Sequence, residues 1–278
     1  MKSKPATEPL RFAVIGAGRV ATQLARFWVQ QGLLCQGVYS RTLAHAERLA
    51  TEVGALPFAV VSQLYALVWE EQPHFLLFSV SDDALPSLVA QLPSAPCRTV
   101  LLHTTGSVPL GVFPTNRLQC GVLYPLQTFS WERAVDLTQV PYYLEASAPP
   151  AQQQMQLLVQ QLGITTQVHW CNSEQRLRLH LAAVFACNFV NHLYARAYQL
   201  LQQVGLEPTA LHGLMQETLQ KALHQPPITA QTGPAIRHDN NTIQKHLQQL
   251  THLPTLHKLY ELLTESVQEL ANEEVNTQ

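Results

Sequence analysis

Charge is what this sequence has least of. Asp, Glu, Lys and Arg make up 13% of its 278 residues, and 17 basic against 19 acidic side chains leave a net charge of −2. No Lys/Arg cluster stands out, so a nucleic-acid partner is not expected. Cysteine is sparse too: Cys35, Cys97, Cys120, Cys171 and Cys187 are five in number, odd, and without a C-x-x-C pair. That argues against a disulfide framework or a thiolate metal site and for reduced thiols in a cytoplasmic protein. Residues 1–9 lack the apolar core of a signal peptide. The most apolar long segment, 181–198, is interrupted by Asn188, Asn191 and His192 and is too short and polar to span a membrane. Internal repeats and low-complexity stretches are absent. A hydrophobic content of 46% in 278 residues fits a globular chain long enough for two domains.

Within this plain background one stretch is specific: RFAVIGAGRVATQLARFWVQQG, from Arg11 to Gly32. Phe12–Ile15 is a short apolar run that reads as a strand buried on both faces. Gly16, Gly18 and Ala21 follow with G-x-G-x-x-A spacing, and from Val20 the apolar residues Leu24, Phe27 and Trp28 recur at helical intervals. Strand, glycine turn and helix together form the context that makes this a dinucleotide-binding motif. Gly16 permits the tight turn, Gly18 lets a pyrophosphate approach the backbone, and Ala21 lets the helix pack close to the strand. Arg19 and Val20 then open a helix whose unpaired N–H groups face the phosphates.

The second strand, Leu34–Ser40, ends without the carboxylate that would bind the ribose hydroxyls of NAD. Ser40, Arg41 and Thr42 stand there instead, a guanidinium between two hydroxyls, which suits the 2′-phosphate of NADP. The alternative is a solvated Arg41 opening the next helix. Further strands are expected at 58–60, 74–80, 99–102, 121–124, 141–145 and 165–169, alternating with helices as in a doubly wound sheet. Ligands bind beyond the carboxyl ends of such strands. Ser79 and Val80 are therefore placed beside the cofactor, His103 and Ser107 beside the substrate or nicotinamide amide, and Gln127 beside the substrate; the alternative for 103–107 is a turn with satisfied side chains. Asp82 and Asp83 read as N-caps of the next helix rather than as site residues.

After His169 the strand pattern stops. The reading puts a dinucleotide-binding domain at 1–169 and a helical domain at 170–278. Ser173 and Glu174 open a helix of about thirty residues that runs to Val204, where Gly205 and Pro208 stop it. Because it is apolar nearly all round, it is expected to be buried and central to a homodimer. Asn188 and His192 lie one turn apart on it, either as a catalytic pair or as a satisfied polar network. Glu217 and Lys221 look like a solvated i,i+4 ion pair, and Asp239 opens a later helix beside Arg237, a candidate clamp for a substrate carboxylate.

The segments GAGRVA, HTTGS, GVLYPLQTFS, LHLAAVFACNFVNHLYA and QTGPAIRHD resemble the proteins that join a Rossmann-like domain to the domain called DUF2520, over nearly the whole chain. The resemblance implies an α/β Rossmann-like domain followed by an all-α domain similar to that of 6-phosphogluconate dehydrogenase. It also implies a distant relationship to pyrroline-5-carboxylate reductase and ketopantoate reductase, and NADP-dependent oxidoreductase activity on a substrate it does not name. Related hydroxyacid dehydrogenases carry a lysine one turn before an asparagine on the long helix. Asn188 fits that asparagine, but Val184 stands where the lysine belongs. The proton must then come from His103, His192, His180 or Lys221, with Asn188 orienting the reacting group. The expected activity is the NADPH-dependent reduction of a small carbonyl or imine. A nucleotide-binding sensor or scaffold without turnover is the alternative, and S-adenosylmethionine binding is disfavoured by Arg41.

Overall fold

The computed structural model describes residues 8–116 and 118–277. Residues 1–7, part of the segment read as lacking a signal core, lie outside it. Eight strands form one sheet: β1 Arg11–Ile15, β2 Leu34–Tyr39, β3 Leu56–Phe58, β4 Phe75–Phe78, β5 Val100–His103, β6 Cys120–Pro125, β7 Tyr142–Ala146 and β8 Val168–Trp170. Their order is β3-β2-β1-β4-β5-β6-β7-β8. Neighbours from β3 through β6 pair parallel, β7 runs antiparallel to β6, and β8 is parallel to β7. The first six strands thus have the doubly wound order 3-2-1-4-5-6, whose chain reversal between β1 and β4 opens a crevice at their carboxyl ends.

Both faces of the sheet are covered. On one lie α1 Arg19–Gln30, α2 Leu43–Val53 and α5 Pro149–Gln161, where Trp28, Leu49 and Leu158 join one core with Phe12 and Val14. On the other lie α3 Val61–Glu71 and α4 Leu85–Val89, which set Leu64, Tyr65 and Leu88 against Ile15 and Phe78. Phe12, Ala13, Val14 and Ile15 have no exposed surface, as a central parallel strand requires.

The long helix is built in three pieces: α6 Ser173–Ala183, a π-helical segment Val184–Phe189, and α7 Val190–Gln202. It begins at Ser173, as expected. Asn172 is the cap, its side chain accepting from the Gln175 N–H at 2.8 Å while Gln175 Oε1 accepts from the Asn172 N–H at 3.0 Å. This reciprocal box satisfies two orphan donors. The expectation of all-round burial is overturned. Arg176 is the one buried side chain of α6, and none is buried along Val184–Gln202. Leu181, Phe185 and Phe189 are exposed.

The chain divides into two compact units, one ending at Asn191 and the other running from His192. Strands cease at Trp170, and the first unit extends through α6 and the π-helical segment to Asn191. Within the second unit, α8 His212–His224, α9 Asn240–Gln249 and α10 Pro254–Thr277 follow α7. Glu217 and Lys221 pair on α8 at 3.4 Å with both side chains exposed, and the Asp239 side chain caps α9 by accepting from the Thr242 N–H at 3.1 Å. No helix among the described residues is long and apolar enough to cross a membrane.

Candidate functional site

A cavity of about 1240 Å³ opens at the carboxyl ends of β1, β2, β4, β5 and β6. That exceeds the usual few hundred to 1,000 Å³ of a small-molecule pocket and gives room for a dinucleotide. All nine residues assigned to the cofactor from sequence line it: Gly16, Gly18, Arg19, Val20, Ser40, Arg41, Thr42, Ser79 and Val80.

Two glycines shape the phosphate end. Gly16 has φ +113°, and a Cβ there would lie 2.1 Å from the Ser79 carbonyl oxygen. Only glycine lets the β1 turn pass so close to β4. Its N–H donates to the Tyr39 carbonyl at 2.8 Å, tying the turn to β2 as well. Gly18, the N-cap of α1, faces open space. No side chain caps that helix and no acidic residue sits in its first turn. The first N–H groups and the positive end of the helix dipole are left for an anion, as a pyrophosphate requires. At the other end, Arg41 lines the cavity and has no hydrogen-bond or ion-pair partner among the described residues.

The opposite end holds a pair the motif reading did not select. Tyr124, at the end of β6, and His180 of α6 both line the cavity, with the phenol oxygen 3.0 Å from His180 Nδ1 and the rings edge to face at 5.9 Å. Gly106 makes room for this pair, since a Cβ there would lie 2.6 Å from His180 Cγ. Burial raises the Tyr124 pKa, with Arg176 pulling it down and Asp82 pushing it up, so the phenol stays un-ionised at neutral pH. His180 is placed by the residue one turn before it. Arg176 has no exposed surface. It donates to the Glu145 carboxylate and, at 2.7 Å, to the Val108 carbonyl. The Ser173 hydroxyl donates to the same carboxylate at 2.8 Å. These bonds fasten α6 to β7, and residues four apart share a helix face.

His103 is a correction. It lies at the carboxyl end of β5 as expected, but it is fully buried and does not line the cavity. Its Nδ1 accepts from the Thr105 N–H at 3.2 Å, Phe113 packs at 5.6 Å between centroids, and Nε2 has no partner. Burial, then the Arg176 charge, pushes its pKa down to about 3. A side chain that stays neutral and enclosed is not the proton donor. It carries a linkage prediction. The unfolded chain protonates His103 near pH 6.5 and the folded chain does not, so its contribution is intact above about pH 6.5 and is lost as pH falls toward 3. Unfolding free energies from urea titrations between pH 7 and 4 are expected to fall less steeply for His103→Gln, by up to about 1.4 kcal/mol per pH unit.

The remaining expectations fall as follows. Gln127 lines the cavity and Ser107 stands at its edge, its hydroxyl donating to Asp82, a lining residue. Asp82 and Asp83 do not cap α4: Ala84 is its N-cap, with no side-chain bond. Asn188 is exposed and absent from the lining, while His192 and Arg237 belong to the second unit and are exposed there. His180 entered the reading only as one of several histidines. Tyr124 is the last residue of the strand expected at 121–124, and nothing in its local sequence marks it. The signal for both was Gly106, a small residue in a strand-end turn whose purpose is clear only once His180 fills the space above it.

Among the described residues, no group of three or more His, Cys, Asp or Glu side chains is arranged to hold a metal ion. No protein of curated function matches the sequence. The model of the domain of unknown function DUF2520 matches residues 140–267. A Bacteroides fragilis protein whose crystal structure is described provisionally as that of an NADP oxidoreductase is 37% identical, with a TM-score of 0.82 over 94% of this chain and 99% of that one. A Thermotoga maritima protein is 22% identical, with a TM-score of 0.66 over 95% of this chain and 99% of that one. An imine reductase of Streptomyces aurantiacus shares the fold at 14% identity, with a TM-score of 0.58 over 96% and 95% of the two chains. An α/β unit of Rossmann type followed by helices, with this degree of likeness over nearly its whole length, makes the chain a member of the family of Rossmann-like proteins that carry DUF2520.

Proposed function

We propose that this protein is an NADP(H)-dependent reductase of a small carbonyl or imine compound. The observation that carries the reading is one continuous cavity with an uncapped helix N-terminus and an unpaired Arg41 at one end and the Tyr124–His180 pair at the other. Gly16 and Gly18 bring the backbone to the pyrophosphate, and Arg19 and Val20 present the first N–H groups of α1. Arg41, flanked by Ser40 and Thr42, holds the 2′-phosphate. The bound nicotinamide supplies a hydride to the substrate carbon.

The chain's own task is the proton. As the carbon is reduced, the oxygen or nitrogen of the substrate gains a proton from the imidazolium form of His180, whose other ring N–H donates to the Tyr124 hydroxyl oxygen and which is left as neutral imidazole. Imidazole suits this step because it is the side chain that most often serves as a positioned general acid. Asn188, His192 and Arg237 have no part in this assignment. The test is NADPH oxidation over a panel of small aldehydes, ketones and cyclic imines, with Arg41→Ala alongside. Turnover on part of the panel, with Arg41→Ala weakening NADPH more than NADH by about 10- to 100-fold, supports the reading. Tight NADPH binding with no turnover on any member supports a sensor instead.

The working form is proposed to be a homodimer of the cytoplasm, without a nucleic-acid partner. Among the described residues from His192 onward, the buried apolar side chains are Ile243 and Leu250, while Leu214, Leu223 and Leu262 are each more than 60% exposed. So little core does not stabilise a helical unit of this length, and a second copy of the chain is the symmetric way to cover it. Light scattering at micromolar concentration is expected to give twice the 31.0 kDa chain mass. A monomer mass would contradict it.

A further inference from the structure

Between β6 and β7 the chain runs from residue 126 to 141 with no helix or strand, and it is nonetheless held down. The Gln23 amide of α1 donates to the Ser130 carbonyl at 2.9 Å and the Arg133 carbonyl at 3.4 Å. Leu137 and Val140 are buried, and the Tyr142 hydroxyl donates to the Leu137 carbonyl at 2.9 Å. Between these anchors Phe129 and Trp131 line the dinucleotide cavity, together with Arg41 and His45. Phe129 packs against the core, whereas Trp131 is 47% exposed. The Arg48 guanidinium carbon stands 4.7 Å above the centre of the Trp131 ring, and Arg48 is not itself part of the cavity wall. The same indole also borders a second cavity of about 450 Å³ beside α1. It is thus a thin partition, steadied by a cation and otherwise open.

The chemistry of the ligand says what meets it. In a 2′-phosphorylated adenosine, the phosphate and the base sit on neighbouring ribose carbons. A groove that holds the phosphate at Arg41 therefore places the adenine a few ångströms away, where Trp131 offers an aromatic face. We propose that Trp131 is the platform on which the adenine of the bound dinucleotide stacks, with Arg48 fixing the indole in position. This rests on the NADP(H) reading above and adds a contact from the β6–β7 strap, outside the glycine motif and the residues that follow β2. Stacking is tolerant of base identity and strong, while a cation over an exposed ring contributes less.

The experiment is calorimetric titration of 2′,5′-ADP and of nicotinamide mononucleotide into the full chain and its Trp131→Ala, Trp131→Phe and Arg48→Ala variants. Tryptophan emission and NADPH affinity are followed in parallel. Trp131→Ala is expected to weaken 2′,5′-ADP about 5- to 100-fold, Trp131→Phe to restore most of that, and Arg48→Ala to cost about 2- to 5-fold. Nicotinamide mononucleotide affinity stays unchanged, and part of the emission quenching by 2′,5′-ADP disappears in Trp131→Phe. Unchanged 2′,5′-ADP affinity in Trp131→Ala, while NADPH binds the unsubstituted protein, overturns the platform alone. Absence of both NADPH and 2′,5′-ADP binding to the unsubstituted protein overturns the platform together with the cofactor reading. Thermal unfolding confirms that each variant is folded, and Trp131→Phe keeps the test valid if the alanine variant is not.

Discussion

Replacing His180 by alanine is expected to lower kcat by about 10²- to 10⁴-fold, the usual cost of losing a general acid, while NADPH affinity stays within about twofold. The split follows from the geometry. His180 lies at the Tyr124 end of the cavity, 3.0 Å from the phenol oxygen, and makes no part of the glycine turn or of the Arg41 segment. Tyr124→Phe keeps the ring that packs edge to face with His180 and removes the hydroxyl. It is expected to lower kcat less, by about 10- to 100-fold, because the imidazole is left in place without its partner. Gly106→Ala should imitate the histidine variant, since a Cβ at Gly106 collides with the His180 ring. Single-turnover measurement of NADPH oxidation separates these effects from product release. Equal loss of turnover and of NADPH affinity would mean that His180 supports the cofactor, not the chemistry.

The largest expected stability effect is at Arg176. Arg176→Met leaves the Glu145 carboxylate, 16% exposed on its side chain, without its cation and leaves the Val108 carbonyl without a donor. Breaking such a pair from one side costs about 3–5 kcal/mol. Urea unfolding is expected to show a loss of this size. The double variant Arg176→Met with Glu145→Gln should recover a large part of it, because an isolated buried charge costs more than a missing pair. The ion pair's value here is positional. It fastens α6 to β7 and so sets His180 against Tyr124. A double variant that regains stability but not turnover would show that separation directly.

The nucleotide end of the site was legible from sequence because its physics is local. A strand, two glycines, a small residue and a helix start lie within a few residues of one another, and each constrains the backbone in a way its neighbours reveal. The cofactor reading likewise rests on three consecutive residues, Ser40–Thr42, which line the cavity. The proposed reaction end was not legible because it is assembled across 56 residues of sequence, Tyr124 to His180. Its spacing element, Gly106, looks like an ordinary turn glycine. His103 misled for a specific reason: β5 is buried on both faces, Val100 to His103 alike. Strand alternation therefore says nothing about which side chain emerges at the end. The long helix misled for the opposite reason. Its apolar surface is real, but burial does not follow within a single chain, and Leu181, Phe185 and Phe189 stay exposed. Asp82 and Asp83 satisfied the pattern of a helix cap, yet Ala84 took the cap position and Asp82 turned to Ser107.

The account's central claim is that the cavity at the ends of β1, β2, β4, β5 and β6 is a site for a 2′-phosphorylated nicotinamide dinucleotide. Parallel equilibrium titration of the unsubstituted protein with NADPH and NADH, read by nicotinamide fluorescence, tests it most directly. The predicted result is saturable binding of NADPH at least about tenfold tighter than NADH, a difference of about 1.4 kcal/mol, from the guanidinium of Arg41 on the 2′-phosphate. Equal affinity for the two, or saturable binding of neither, would contradict it.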